Sequence, residues 1–259
     1  MLDLHTHVLP AMDDGAADWG EAVEMCRQAA GDGTALLAAT PHWYPNRNPP
    51  SRAEIQTALE RLRKELAGRG LELELVAGAE VALDPDLPRL AKEGLVPTLG
   101  ESSCFLLECP PQTSPRLLPG LVYELRLAGL RPILSHPERT WSGARGWDWL
   151  AGLVEQGCLV QITAMSLTGE LGSGPRAASQ ELLERGLVHL VASDAHSAGW
   201  RPPCLSRAAA HLERLAGAEA AEVLTRAAPA AILAGREPPA PPLAQPRRRL
   251  FFWRGSKGA

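Results

Sequence analysis

Residues 1–16 read MLDLHTHVLPAMDDGA. Residues 2–4 form a short apolar run, and His5 and His7 straddle its end two positions apart, which on a strand puts both on one face. Asp13 and Asp14 follow in an acidic, glycine-containing turn. A solvated tail has no use for this alternation, so the stretch either packs a strand or holds a ligand. If a strand starts here with its chemistry at the far end, the rest of the chain can be read the same way.

That pattern recurs. Apolar runs bounded by turn residues fall at 35–39, 73–76, 105–107, 132–134, 159–162 and 188–192. Between them, residues 21–30, 53–67, 117–128, 147–156 and 177–184 carry apolar residues at helical spacing. The runs GDGT, AGRGL, LAGLR, EQGCL and ERGLV place glycine after a helix and before a strand, the usual stop signal. Strands alternating with helices predict βαβ units and a parallel sheet. Seven strands fit an α/β barrel of the (β/α) type better than an open sheet, and 259 residues suffice for one such domain.

Bulk properties narrow the function. A net charge of -4 gives no basic footprint, so nucleic acid is not an expected partner. No run approaches the ~18 apolar residues of a membrane span, and the N-terminal residues lack the layout of a secretory signal, so a cytoplasmic location is expected. Cys26, Cys104, Cys109, Cys158 and Cys204 are odd in number and show no CxxC spacing, which predicts reduced thiols. From residue 235 the composition changes. EPPAPPLAQP is proline-rich, and RRRLFFWRGSKGA is basic and aromatic. A disordered tail over 235–259 is expected, with weak contact of residues 247–254 with an anionic membrane surface as the alternative.

Polar residues fall at the ends of the apolar runs. His5 and His7 close the first, His42 in ATPHW lies past the second, Glu80 in AGAEV past the third, and Glu108 in FLLECP ends the fourth. His136 in PILSHPER ends the fifth, and Asp194 and His196 in LVASDAH end the last. The C-terminal ends of parallel strands are where barrels and open sheets build active sites. Imidazoles and carboxylates converging without cations between them would repel and desolvate one another, and metal ions relieve that cost. His189 precedes its strand and His211 sits on an amphipathic helix, so neither is expected to ligate. Imidazole mixed with bridging carboxylates suits manganese, iron or zinc better than calcium or magnesium, and so many donors imply two or three ions. Such a site activates water and clamps both oxygens of a displacement, which points to hydrolysis of a phosphate ester. Arg139 in SHPER and Arg201 in SAGWRPP could reach over the metals, where a guanidinium fork matches a phosphate.

Taken in order, HTHVLPAMDDGA, TPHW, AGAEV, LECP, SHPER, QITAMSLTG, SDAH and RPP resemble the bacterial manganese-dependent tyrosine-protein phosphatases of capsule and exopolysaccharide clusters, within the polymerase-and-histidinol-phosphatase (PHP) superfamily. The resemblance spans residues 1–234. It implies a distorted (β/α)7 TIM-like barrel with a trinuclear manganese site. His5, His7, Glu80 and Asp194 would hold one ion, Glu80, Glu108 and His136 a second, and Asp14, His42 and His196 a third. It further implies that a hydroxide bridging the metals attacks phosphorus, that Arg139 steadies the phosphoryl oxygens, and that the substrate is the phosphotyrosine-bearing tail of a bacterial tyrosine kinase. Asp13 is left as a turn or supporting residue. Three positions depart from the pattern: Ser197 stands where asparagine is usual, Met165 where glycine is common, and Ala228 where an asparagine would cap a helix. Two other readings stay open, a PHP phosphatase for a small metabolite such as histidinol phosphate, and a non-catalytic metal-binding regulator.

Overall fold

A computed structural model describes residues 1–142 and 146–244. Nine parallel strands are present among them: β1 Leu2–Thr6, β2 Leu36–Ala39, β3 His42–Trp43, β4 Glu74–Ala77, β5 Glu80–Ala82, β6 Cys104–Glu108, β7 Arg131–Ser135, β8 Leu159–Thr163 and β9 Leu190–Ala192. They form a three-stranded sheet, β1-β2-β4, and a six-stranded sheet, β3-β5-β6-β7-β8-β9. β3 continues the line of β2, and β5 that of β4. The Asp194 N–H donates to the His5 carbonyl at 2.9 Å and the His7 N–H to the Ala195 carbonyl at 2.8 Å, joining the last strand to the first. The result is a ring of seven staves, two of them broken, as the resemblance implied.

The breaks are written in the sequence. Pro41 lacks an N–H and interrupts the second stave after Thr40. At Gly78 the chain passes so close to its neighbours that a Cβ would meet Leu99 Cδ2 at 2.7 Å. Each break releases two or three residues, His42–Trp43 and Glu80–Ala82, to pair in the other sheet, with His42 opposite Glu80. These short strands were not expected, because two or three residues are too few to show a period.

Two cores result. Leu4, Leu36, Ala38, Leu106, Ile133, Leu159 and Leu190 pack together, with Ile232 from the helix Ala228–Leu233 against them. A larger core lies between the staves and the helices, including Leu37, Leu59, Phe105, Leu125, Leu134, Val160, Leu182 and Val191. The amphipathic helices Trp19–Gly31 and Arg52–Ala67 supply part of it. The second is closed by a capping box, with Ser51 and Glu54 satisfying each other's backbone N–H. All five cysteines are free thiols.

Two expectations are corrected. Ala228 removes no helix cap: Ala227 is already helical, and the Ala228 N–H donates back to the Val223 carbonyl through a π-helical turn, Val223–Ala227. Residues 235–244 are not a free tail. Glu237 receives the Arg131 guanidinium at 2.7 and 2.9 Å, the Ala244 N–H donates to the Leu183 carbonyl at 3.1 Å, and Pro238 and Ala244 are buried. The prolines pre-extend this segment, so docking it costs less chain entropy. The remainder of the expected tail, with its membrane-contact residues 247–254, lies outside the described residues.

His189 behaves as expected of a structural histidine. It is buried, and its Nδ1 accepts the Val160 N–H at 3.2 Å. Burial, aided by the nearby Arg131 charge, lowers its pKa from 6.5 to about 4. Between those values the unfolded chain takes up a proton that the folded chain refuses, so stability is complete above pH 6.5 and is lost as pH falls. In urea titrations of metal-free protein, His189→Gln should remove about 2–3 kcal/mol of the acid-induced loss between pH 6.5 and 4. Equal pH slopes in the two proteins would contradict this.

Candidate metal centre

At the C-terminal mouth of the ring the side chains from the ends of the staves converge. The Nε2 atoms of His5 and His7 lie 3.2 Å apart, as expected for one strand face. Glu80 Oε2 sits 3.3 Å from His5 Nε2, 3.5 Å from His7 Nε2 and 3.1 Å from His42 Nδ1. Asp194 Oδ1 lies 3.5 Å from His5 Nε2 and 3.6 Å from His7 Nε2. Asp14 Oδ1 lies 3.5 Å from His42 Nε2 and 3.6 Å from His196 Nε2. Donors bound to a common ion at roughly 2.0–2.2 Å stand about 3.0–3.6 Å from one another, so these spacings suit shared cations.

Among the described residues, three groups of ligand atoms are close enough to hold an ion: His7, Asp14, His42 and His196; His5, His7 and Glu80; and His42, Glu80 and Glu108. They differ from the expected partition in three respects: His7 also joins Asp14, His42 and His196, Asp194 falls outside the group of His5, His7 and Glu80, and the third group exchanges a histidine. His42 takes the place expected for His136 beside Glu80 and Glu108, while His136 Nε2 reaches the other oxygen of Glu80 at 2.9 Å. Asp194 adjoins the second group.

The imidazoles are aimed by their outer nitrogens. His5 Nδ1 donates to Gln161 Oε1 at 3.1 Å, His7 Nδ1 to Asp13 Oδ2 at 2.6 Å, and His196 Nδ1 to the Asp194 carbonyl at 3.0 Å. Each bond leaves Nε2 with its lone pair toward the centre, the arrangement that metal-binding histidines need. Glu80 Oε2 and His42 Nδ1 are buried without a hydrogen-bond partner. With the imidazoles neutral these are acceptors facing acceptors, a set that a shared cation satisfies.

Burial opposes charge on His5 and His7, but the carboxylates of Glu80, Asp194 and Asp13 outweigh it, raising His5 and bringing His7 to about 10, so metal binding there displaces protons. Burial alone would raise the Glu80 carboxyl, but the surrounding His5, His136 and His42 reverse this and hold it well below the usual range. Burial, reinforced by Glu80, pushes Glu108 up. Burial and the nearby His7 lower His196 to about 4, which keeps it neutral as a ligand must be. Burial likewise opposes the charge on Asp13, yet the bond to His7 outweighs it and sets the carboxyl at about 2.

The DDG turn explains itself. Asp13 binds His7 Nδ1 and also accepts the N–H groups of Gly15 and His42 at 2.9 Å each. The Ala16 N–H donates to the His7 carbonyl at 3.0 Å, and a Cβ on Gly15 would lie 1.9 Å from that oxygen. Only glycine lets the loop fold back onto the first stave. Asp14, its side chain 71% exposed, turns toward His42 and His196 instead.

Arg139 and Arg201 both reach the site. Each guanidinium pairs with Asp194 Oδ2, Arg201 at 2.5 Å. Arg139 rides a short helix, Pro137–Thr140, which buried Glu138 ties to β8 by accepting the Thr163 N–H at 3.0 Å. Ser197 proves compatible with its position: its hydroxyl accepts the N–H groups of Trp200 and Arg201 at 3.0 and 3.3 Å, closing the loop that carries Arg201. His136 and Asp194 have φ of +35° and +54°, a left-handed backbone costing non-glycine residues about 1–3 kcal/mol each.

Sequence reasoning missed two supporting residues. Gln161 lay within the QITAMSLTG stretch but had no assigned role, and Glu138 stood between His136 and Arg139. Their signal is an amide and a carboxylate placed where an apolar strand or turn offers them no solvent.

A ring of parallel strands with clustered imidazoles and carboxylates at its C-terminal mouth is the architecture of a metal-dependent hydrolase. Residues 1–234 match the family described as Capsular polysaccharide synthesis, CpsB/CapC. The chain belongs to that family. The tyrosine-protein phosphatase YwqE of Bacillus subtilis is 36% identical over 255 residues, covering 97% of this chain and 99% of that protein. The tyrosine-protein phosphatase CpsB of Streptococcus pneumoniae is 27% identical over 232 residues, covering 86% and 94%. A crystal structure from a study of these two proteins, described as metal-dependent tyrosine phosphatases, superposes with a TM-score of 0.88 at 33% identity, covering 95% of this chain and all of that one. An organophosphorus hydrolase variant shares the fold alone, at a TM-score of 0.55 and 12% identity.

Replacing Asp13 or Gln161 by alanine should weaken metal binding about 10- to 100-fold while the circular dichroism spectrum is retained. Calorimetric titration with Mn2+ checks this, and undiminished affinity in both variants would refute the aiming role.

Proposed function

We propose that this chain is a metal-dependent protein-tyrosine phosphatase, a phosphoric monoester hydrolase acting inside the cell on the phosphotyrosine-bearing tail of a bacterial tyrosine kinase that serves capsule or exopolysaccharide synthesis. Residues 1–234 form the catalytic unit. One observation carries the reading: Glu80 Oε2, buried and unpartnered, is ringed by three imidazole nitrogens within 3.5 Å. Manganese suits this mixture of imidazole and carboxylate donors.

The donors are His5, His7, Asp14, His42, Glu80, Glu108, His136, Asp194 and His196. Metals held there would supply an activated water and neutralise phosphate charge. The chain does the rest. Asp13 and Gln161 fix the imidazoles, so little reorganisation remains when substrate arrives. Asp194 holds Arg139 and Arg201 at the mouth, where their guanidiniums would bind the phosphoryl oxygens bidentately and favour the charge that develops during transfer. Glu138 and Ser197 keep the loops bearing these arginines in place. The staves exclude bulk water from the inner face of the site, which strengthens every charge interaction within it.

Metal-free protein given Mn2+ should hydrolyse a phosphotyrosyl peptide and lose that activity to chelator. Turnover of histidinol phosphate in preference to the peptide would favour a metabolite phosphatase, and inactivity on every aryl phosphate would favour a regulator. Arg139→Ala should cut turnover by about two to three orders of magnitude with metal content unchanged. His136→Ala should lose metal as well as rate.

A further inference from the structure

Tyr44 is an aromatic ring at the mouth that the mechanism above does not use. It lies two residues beyond His42, its ring centre 5.4 Å from that imidazole at an interplanar angle of 33°. The Arg47 guanidinium carbon stands 5.2 Å from the centroid of the Tyr44 ring. The ring is half-buried. Its loop is anchored on both sides: the Trp43 indole N–H donates to the Pro50 carbonyl at 3.1 Å, and the Asn46 side-chain amide donates to Asp84 at 2.5 Å. Within the loop, the Arg47 N–H donates to the Tyr44 carbonyl at 2.9 Å. An aromatic ring on an anchored loop is thus set beside a donor that belongs to two of the three ligand groups.

A phosphate ester bound at those groups must carry its organic part out past the rim. An aromatic ring there has little to offer an alkyl ester. An aryl ester can pack on it in an offset or edge-on arrangement, gaining beyond the contact area alone. We propose that Tyr44 is a specificity-determining residue, the wall against which the aromatic ring of the substrate packs, so that the site prefers aryl over alkyl phosphates. This inference rests on the phosphatase reading given above.

The test separates the two. Binding of phenylphosphonate and methylphosphonate, neither of which is hydrolysed, is measured by calorimetry on Mn2+-loaded wild type, Tyr44→Ala and Tyr44→Phe. Wild type should favour phenylphosphonate, Tyr44→Ala should reduce that preference about 3- to 10-fold, and Tyr44→Phe should keep it. Activity on phosphotyrosyl and phosphoseryl peptides with the same flanking residues should follow the same order, with the loss in Tyr44→Ala falling mainly on KM. An unchanged preference in Tyr44→Ala overturns the inference, as does an equal loss in Tyr44→Phe, which would implicate the hydroxyl. If aryl preference in binding depends on Tyr44 while wild type hydrolyses no aryl phosphate, the phosphatase reading fails and the ring contact stands.

Discussion

Glu80 Oε2 is the atom around which the structure is arranged. It is a buried carboxylate oxygen with no hydrogen-bond partner, facing the nitrogens of His5, His7 and His42. Left without either protons or cations, such a cluster is costly for a protein interior to hold, since each acceptor has been taken out of water and given another acceptor. Cations turn that cost into binding energy. Much of the surrounding architecture then reads as what is needed to keep the donors pointed inward until the ions arrive.

The fold meets that need by breaking its own regularity. Were the second and third staves continuous, His42 and Glu80 would have no separate ladder. The interruptions at Pro41 and Gly78 shift both residues into the other sheet, opposite one another. The closing bonds between Asp194 and His5, and between His7 and Ala195, likewise bring the first and last ligand pairs side by side. Backbone strain at His136 and Asp194 fits the same picture. Both positions sit where a strand must turn sharply to present a side chain, and the neighbouring hydrogen bonds hold the turn.

Much of this was legible in the chain beforehand, and the exceptions have physical causes. The seven apolar runs all became strands because buried parallel strands leave a strong, continuous signature. His5, His7, His42, Glu80, Glu108, His136, Asp194 and His196 stood out jointly: any one of them has ordinary structural uses, but their recurrence at successive strand ends does not. Asp14 was singled out from Asp13 only through the resemblance, since two adjacent acids look alike in sequence; geometry separates them, one bonded to His7 and the other turned to His42 and His196. Gln161 and Glu138 stayed silent because an uncharged amide in a strand, or an acid in a turn, has many ordinary explanations. Residues 235–244 were misjudged because proline content reports the absence of helix and strand, and says nothing about docking against Arg131 and Leu183.

The central claim is that the cage around Glu80 holds metal. Crystals of Mn2+-loaded protein, with anomalous scattering recorded at the manganese edge, test it directly. The account predicts two or three anomalous peaks among the strand ends, one of them within bonding distance of a Glu80 oxygen. A map with no peak near Glu80, from protein that binds Mn2+ in solution, would contradict it.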